Sequence, residues 1–262
     1  MEASGRLFKL TSKLGQPVEY RLPIGDQEIP LNPWIGKKIS LKFSGEITCI
    51  YCQRKIKKSY SQGYCFPCSQ TLARCDFCIV QPEKCHYHLG TCREPEWGKA
   101  NCFIPHIIYI ANTSGLKVGI TRETQVPTRW IDQGAIQALP FARVKSRYHA
   151  GLVEVAIKQE LNDKTNWRKM LINTEKMDLL AERETLQKFF PFPVEMEWMQ
   201  DASVVDIHYP IDKALDKIKS FNFDKTPEIS GTLLGIKGQY LFFEQGVLNI
   251  RKATGYHITF QG

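Results

Sequence analysis

The chain has 262 residues, 43% of them hydrophobic, a formal net charge of +8 and no run of about 20 apolar residues. That length suits roughly two or three small domains, and the lack of an apolar run argues against a membrane-spanning protein. The positive balance favours polyanionic partners, because Lys and Arg beside phosphates release condensed counterions.

Residues 1–45 read as an N-terminal β region. VEYRL, a turn at Gly25 and Asp26, EIPL, and KISLKF ending at Gly45 follow one another. Alternation in KISLKF puts Ile39, Leu41 and Phe43 on one face, the period of a half-buried strand.

Residues 46–103 read as a zinc-binding segment, rich in turns, where metal must supply the cohesion that a small core cannot. All nine cysteines fall between Cys49 and Cys102. Cys49-x-x-Cys52 and Cys65-x-x-Cys68 are two knuckles about a dozen residues apart, a spacing that places four thiolates around one zinc ion. Cys75, Cys78, Cys85, Cys92 and Cys102 follow, with His86, His88 and His106 close by, and a second ion needs only four of them. The expected ligands are Cys75, Cys78, Cys92 and Cys102, with Cys85 or His88 as substitutes. An iron–sulfur cluster is the alternative use of four thiolates. Disulfides fit poorly, since no apolar leader for export is evident, and a reducing cytoplasm is the expected location. The string RKIKKSYSQGY, residues 54–64, puts four cations and two tyrosines into the loop of the first site, where phosphate contact and base stacking are both available.

Residues 104–200 change to an α/β pattern. HIIYIANT and LKVGIT are strands joined at Ser114 and Gly115, and Pro127 starts a helix that Gly134 ends. ALPFARVKSRY reads as a third strand and GLVEVAIKQEL as a helix with Leu152, Val155, Ala156 and Gln159 at helical spacing. Asp163 or Thr165 would cap a short helix after it, and a longer helix covers roughly 175–189. Residues 201–262 begin with a helix at about 211–220, started by Pro210, and end in three or four strands. Neither terminal strand group makes a convincing domain alone, so the two are expected to form one sheet or barrel. The fold class is α+β.

The strand, turn and strand from HIIYIANT to LKVGIT, followed by helices carrying Arg129 and Glu154, resemble the GIY-YIG nuclease superfamily. The resemblance makes Tyr109 the first-motif tyrosine, Lys117-Val118-Gly119 the second motif, Arg129 the phosphate-binding arginine and Glu154 the ligand of Mg²⁺ or Mn²⁺. It departs at Lys117, where the superfamily has a tyrosine proposed as general base. An ordinary lysine, with a pKa near ~10.4, stays protonated at neutral pH. CDFC, PEKCHYHLGTCREPEW, KVGITR, PTRWIDQGA, DKTNWRKML and GIKGQYL also resemble the signature blocks of an uncharacterised bacterial family catalogued as a domain of unknown function. That likeness covers nearly the whole chain and implies little about activity.

Arg122, Arg129, Arg147 and Arg168 lie in or beside these blocks, interleaved with Trp130, Tyr148 and Trp167. Such a mixture suits nucleic acid, through phosphate contacts and stacking. Two readings follow. In one, a zinc protein cuts nucleic acid with Mg²⁺ or Mn²⁺; in the other, zinc ribbons and a basic surface bind RNA or DNA on a nuclease-like platform without catalysis. Lys117 separates them, and favours the second.

Overall fold

The computed structural model describes residues 1–158, 166–172, 175–189, 192–213, 215 and 218–262. The N-terminal part holds β1 (Glu2–Arg6), β2 (Thr11–Lys13), β3 (Glu19–Ile24), β4 (Gln27–Pro30), β5 (Lys38–Thr48), β6 (Lys55–Ile56) and α1 (Phe66–Thr71). The middle holds α2 (Pro95–Asn101), β7 (His106–Asn112), β8 (Leu116–Arg122), α3 (Thr128–Asp132), β9 (Gln137–Val144), α4 (Arg147–Lys158), α5 (Trp167–Leu171), α6 (Leu179–Phe189), β10 (Glu197–Trp198) and β11 (Val205–Asp206). The chain ends with β12 (Ser220–Phe221), β13 (Glu228–Lys237), β14 (Tyr240–Phe243), β15 (Gly246–Asn249) and β16 (Tyr256–Gln261). The fold is mixed α and β, and none of its sheets closes into a barrel.

Contacts divide the chain into two compact units, one of residues 1–70 with 208–262 and one of residues 71–207. The cysteine-rich segment straddles that division.

In the first unit the terminal strand groups do share one sheet, in the order β1, β16, β5, β13, β14, β15, β12. The physical reason lies in β5. Its alternation buries Ile39 and Leu41, and both of its edges need partners. β16 covers one edge, with Phe260 opposite Leu41 and Ile258 opposite Phe43; β13 covers the other, with Ile229 opposite Leu41. Strand pairing continues past Gly45 to Thr48, where β6 adds Ile56 opposite Ile47, so the strand leads directly into Cys49. β2, β3 and β4 form a separate three-stranded sheet whose tight turn is made at Gly25, in the left-handed conformation at φ +57°.

The helix expected at 211–220 is not present in residues 211–213, 215 or 218–220, and its other positions lie outside the described residues. Ile211 bridges Gly235 instead, and the Asp212 N–H donates to the Leu234 carbonyl at 2.8 Å. Sheet pairing has taken the backbone groups that a helix would need.

The second unit is built on β9, β7 and β8, with β8 at the edge and β10 and β11 both on β9. Every residue of β7 is buried, so both faces of this sheet are covered. On one face Ile108, Ile110, Val118, Leu139 and Phe141 pack with Ala150, Val153 and Ile157 of α4 and with Leu179 and Leu186 of α6. Alternation sends Tyr109 to the other face, where Trp130 of α3 lies 5.9 Å from its ring. The third strand stops at Val144 rather than running to Tyr148. The Ser146 carbonyl accepts the Ala150 N–H at 3.1 Å, which places Arg147 and Tyr148 in the first turn of α4. α3 begins after Pro127 and ends before Gly134, at φ +71°, as the sequence implies. Asn166 caps α5, its oxygen accepting from Arg168 and Lys169; Asp163, Thr165 and Gln159 lie outside the described residues. Asp178 caps α6 in the same way, accepting from Leu180 and Ala181 at 3.1 Å.

Candidate metal centres

The first centre grows out of β5. Cys49 follows its last residue, and the next turn is closed by the Gln53 N–H donating to the Cys49 carbonyl at 3.0 Å, with Gln53 at φ +61°. Cys65 and Cys68 sit at the start of α1, where the Cys68 N–H donates to the Cys65 sulfur at 3.4 Å. These turns bring the sulfurs of Cys49, Cys52, Cys65 and Cys68 within 4.8 Å of one another, and those of Cys52 and Cys65 to 3.6 Å. A tetrahedral zinc site with Zn–S of about 2.3 Å calls for sulfur separations of about 3.8 Å, so the set has the right size for one ion.

Electrostatics point the same way. Burial raises the Cys49 thiol, but the N–H groups of Cys52, Cys65 and Tyr51 outweigh it and bring the group to about 6. Burial and the neighbouring thiols of Cys65, Cys52 and Cys49 push Cys68 the other way. Four sulfurs so close cannot all ionise without a cation among them. Zinc bound here would be a closed structural centre with the four thiolates as its ligands, leaving no open position for substrate.

The loop between the two turns faces water. Arg54, Lys55, Lys57 and Lys58 are all exposed. Tyr60 packs edge-on against exposed Phe66 with ring centroids 5.5 Å apart, and Lys58 lies over the Tyr60 ring. Beside this loop is a groove of about 860 Å³, with Phe43, Ile56 and Phe223 along it and Lys55 and Lys57 at its side.

The other five cysteines belong to the second unit. The neighbouring thiols of Cys102 and Cys78 hold the Cys85 thiol well below the ordinary thiol range and are themselves raised by it, although the three sulfurs do not all come within 4.8 Å of one another. All three are buried, with Tyr87, Trp97 and Tyr148 packed against them. Cys75 and Cys92 are half-buried. Asp76, Cys78 and His86 also bring ligand atoms within 4.8 Å, but this group is already served: Asp76 pairs with Arg93 at 2.6 Å, and His86 Nδ1 lies 2.7 Å from the Thr91 hydroxyl. No disulfide joins any of the nine cysteines.

Tyr109 and Arg129 are brought together through a residue that the sequence reading passed over. The Gln133 amide donates to the Tyr109 hydroxyl at 2.7 Å, and its oxygen accepts from Arg129 Nη2 at 3.1 Å and Nε at 3.3 Å. The missed signal was spacing, since Arg129 and Gln133 are one helical turn apart. Tyr109 is fully buried and pairs across the sheet with Gly119, where a Cβ would come within 2.6 Å of the phenol. Lys117 is on β8 opposite Ala111, on the Tyr109 face. Glu154 pairs with Lys158 at 3.3 Å, on a helix packed against the opposite face.

The expected nucleic-acid contacts are dispersed. Trp130 is 2% exposed and serves the core rather than a stacking surface. Arg122 bonds to Asn101 and is lowered by burial, and Arg147 donates to the carbonyls of Cys78 and Ile79. Arg168 is exposed, its guanidinium 4.4 Å from the centre of the Trp167 ring.

A family model described as protein of unknown function (DUF2797) matches residues 36–258. The chain belongs to that family. The match covers all nine cysteines and the sheet of β7, β8 and β9, and so reaches into both compact units. No curated protein and no solved structure matches the chain.

Proposed function

We propose that this DUF2797 member is a zinc protein that binds nucleic acid through the loop carried by its four-cysteine centre, and that its GIY-YIG-like layer is a platform without nuclease activity. The observation that carries the proposal is the exposed run Arg54, Lys55, Lys57 and Lys58, held beside exposed Tyr60 and Phe66 by two cysteine turns. Cations spaced along a rigid loop contact phosphates, and exposed rings accept bases. The adjoining groove, apolar along Phe43 and Phe223 with Lys55 and Lys57 beside it, suits an unstacked base whose phosphate lies outside.

The order of β7, β8, α3, β9 and α4 supports the GIY-YIG likeness, and the state of the residues supports the platform reading. A general base must reach water, yet Tyr109 is fully buried and its hydroxyl is committed to Gln133. Lys117 replaces the second tyrosine, and the helix bearing Glu154 lies across the sheet from Tyr109 and Arg129.

Fluorescence anisotropy with labelled single-stranded and structured RNA and DNA tests both parts. Binding is expected to weaken with salt, and Lys57→Ala combined with Lys58→Ala should lower the salt slope by about 1.5. Absence of binding to every probe at low salt would overturn the proposal. With Mg²⁺ or Mn²⁺ added, the probes are expected to stay intact. Cleavage that disappears in Glu154→Ala would replace the platform by a nuclease.

A further inference from the structure

The groove beside the loop of the four-cysteine centre is a gap in the large sheet of the first unit. On one edge β5 is covered by β13 from Lys38 to Lys42 and by β6 at Ile47 and Thr48. Between those stretches Ser44 and Gly45 have no strand opposite them on that edge among the described residues. On the other edge the register shifts, since β5 runs from Phe43 to Ile47 while β16 runs only from Ile258 to Tyr256. Gly45 takes up the irregularity at φ +86°. Bulges of this kind end pairing and re-aim side chains, so the groove is built into the strand.

The groove has an aromatic side and charges of both signs. Phe43 is half-buried and braced by Tyr256 and Phe223, at ring-centroid distances of 4.9 Å and 6.1 Å. Lys57 is exposed, and Lys55 pairs with Glu46 at 3.0 Å. Among the residues along the groove Asp224 alone is acidic. A short turn fixes it: its N–H donates to Asn222 Oδ1 at 2.8 Å, and the Lys225 and Thr226 N–H groups donate to the Asn222 carbonyl at 3.1 Å and 2.9 Å. The Tyr256 hydroxyl donates to Asp224 Oδ1 at 3.0 Å. Burial, and then this carboxylate, push the Tyr256 pKa up to about 12, so the phenol keeps the proton it donates. A carboxylate offers about four lone-pair sites, of which the Tyr256 bond takes one.

A carboxylate fixed in this way discriminates among bases. On its pairing edge guanine presents two adjacent donors, N1–H and the 2-amino group, which match the two oxygens side by side. Adenine and cytosine present one donor next to a ring-nitrogen acceptor, and uracil and thymine present one donor between two carbonyls. Each of these would turn a lone pair towards Asp224.

Building on the nucleic-acid reading above, we infer that this gap in the sheet takes a guanine base from a single strand, with the ring against Phe43 and its N1–H and 2-amino group on Asp224. The phosphates that follow meet Lys57 and Lys58. Exposed cations run from Arg54 to Lys58 and serve more than one phosphate, which makes a strand the occupant and not a free nucleotide.

Anisotropy of the full chain with labelled uracil-rich single strands of equal length, each carrying guanine, adenine, cytosine or uracil at its centre, tests the selectivity. The guanine strand is expected to bind about tenfold more tightly than the others, the low end for a bidentate contact because Asp224 is exposed. Inosine in place of guanine removes only the 2-amino group and should weaken binding roughly threefold. Asp224→Asn keeps an acceptor for Tyr256 but puts a donor in place of the second oxygen, and is expected to bring guanine within about twofold of the other bases. Measurable but equal affinity for all the strands would overturn the guanine assignment and leave the nucleic-acid reading standing; binding to none would overturn both. A preference that survives in Asp224→Asn, or inosine binding as tightly as guanine, would remove Asp224 from the readout. Guanosine monophosphate that displaces the strand at equal concentration would replace the strand by a nucleotide.

Discussion

The two cysteine clusters differ in what holds their side chains in place. At Cys49, Cys52, Cys65 and Cys68 the ligands sit on two short turns whose own N–H groups point at sulfur, Cys52 is exposed, and the intervening loop carries its charges into water. Cys78, Cys85 and Cys102 come from separate short turns and are buried, with Tyr87, Trp97 and Tyr148 packed against them. A turn-built site is local and can present a surface to a partner. A core-built cluster is bound to the packing of its unit.

The largest expected effect is at the turn-built site. Cys65→Ser should lose one zinc and several kcal/mol of stability, lowering the melting midpoint by roughly 10 °C in calorimetry, because metal binding there is folding energy for a segment with little core. A Cys65→Ser protein that melts like wild type would show that the turns stand without metal, and the contrast between the sites would fail.

Gly151→Ala tests the core-built site through its support. A Cβ on α4 at this position would lie 2.1 Å from the Glu83 nitrogen and 2.4 Å from the Pro82 carbonyl carbon, and backbone cannot yield as a flexible side chain can. The expected cost is about 3 kcal/mol, with faster hydrogen exchange in residues 78–102 and unchanged exchange in residues 49–68. Equal acceleration in both segments would mean that the two sites are one cooperative structure.

Tyr109→Phe should cost about 1–2 kcal/mol in denaturant unfolding, since the Gln133 amide loses a buried partner, and should leave nucleic-acid affinity unchanged. A fall in affinity without a fall in stability would bring Tyr109 into the binding surface. The smallest effect on folding belongs to Lys57→Ala with Lys58→Ala, expected to stay within about 0.5 kcal/mol of wild type because both side chains are exposed. Substantial destabilisation would make that loop part of the fold rather than its outward face.

Much of the architecture was legible in the residues. Alternation in KISLKF and the apolar run HIIYIAN marked β5 and β7, and Pro127 and Gly134 bracketed α3. The Ser146 turn was harder to read, because Arg147 and Tyr148 suit a strand as well as a helix and only the capped turn settles the choice. The helix expected after Pro210 failed because sheet pairing at Ile211 outweighs local propensity. At the candidate sites, Gln133 was invisible as a link between Tyr109 and Arg129 until strand and helix were set side by side.

By itself the sequence determined the four-cysteine centre, since two turns of fixed length place four sulfurs with almost no help from the rest of the chain. It also determined that the terminal strand groups need one another, because β5 has two edges to cover. Tertiary structure alone decided which later cysteines are buried together, that the His106 Nε2 is buried with no hydrogen-bond partner among the described residues, and that Glu154 stands across the sheet from Tyr109. Those outcomes depend on burial and on which face of a sheet each element covers, and residues distant in the chain set both.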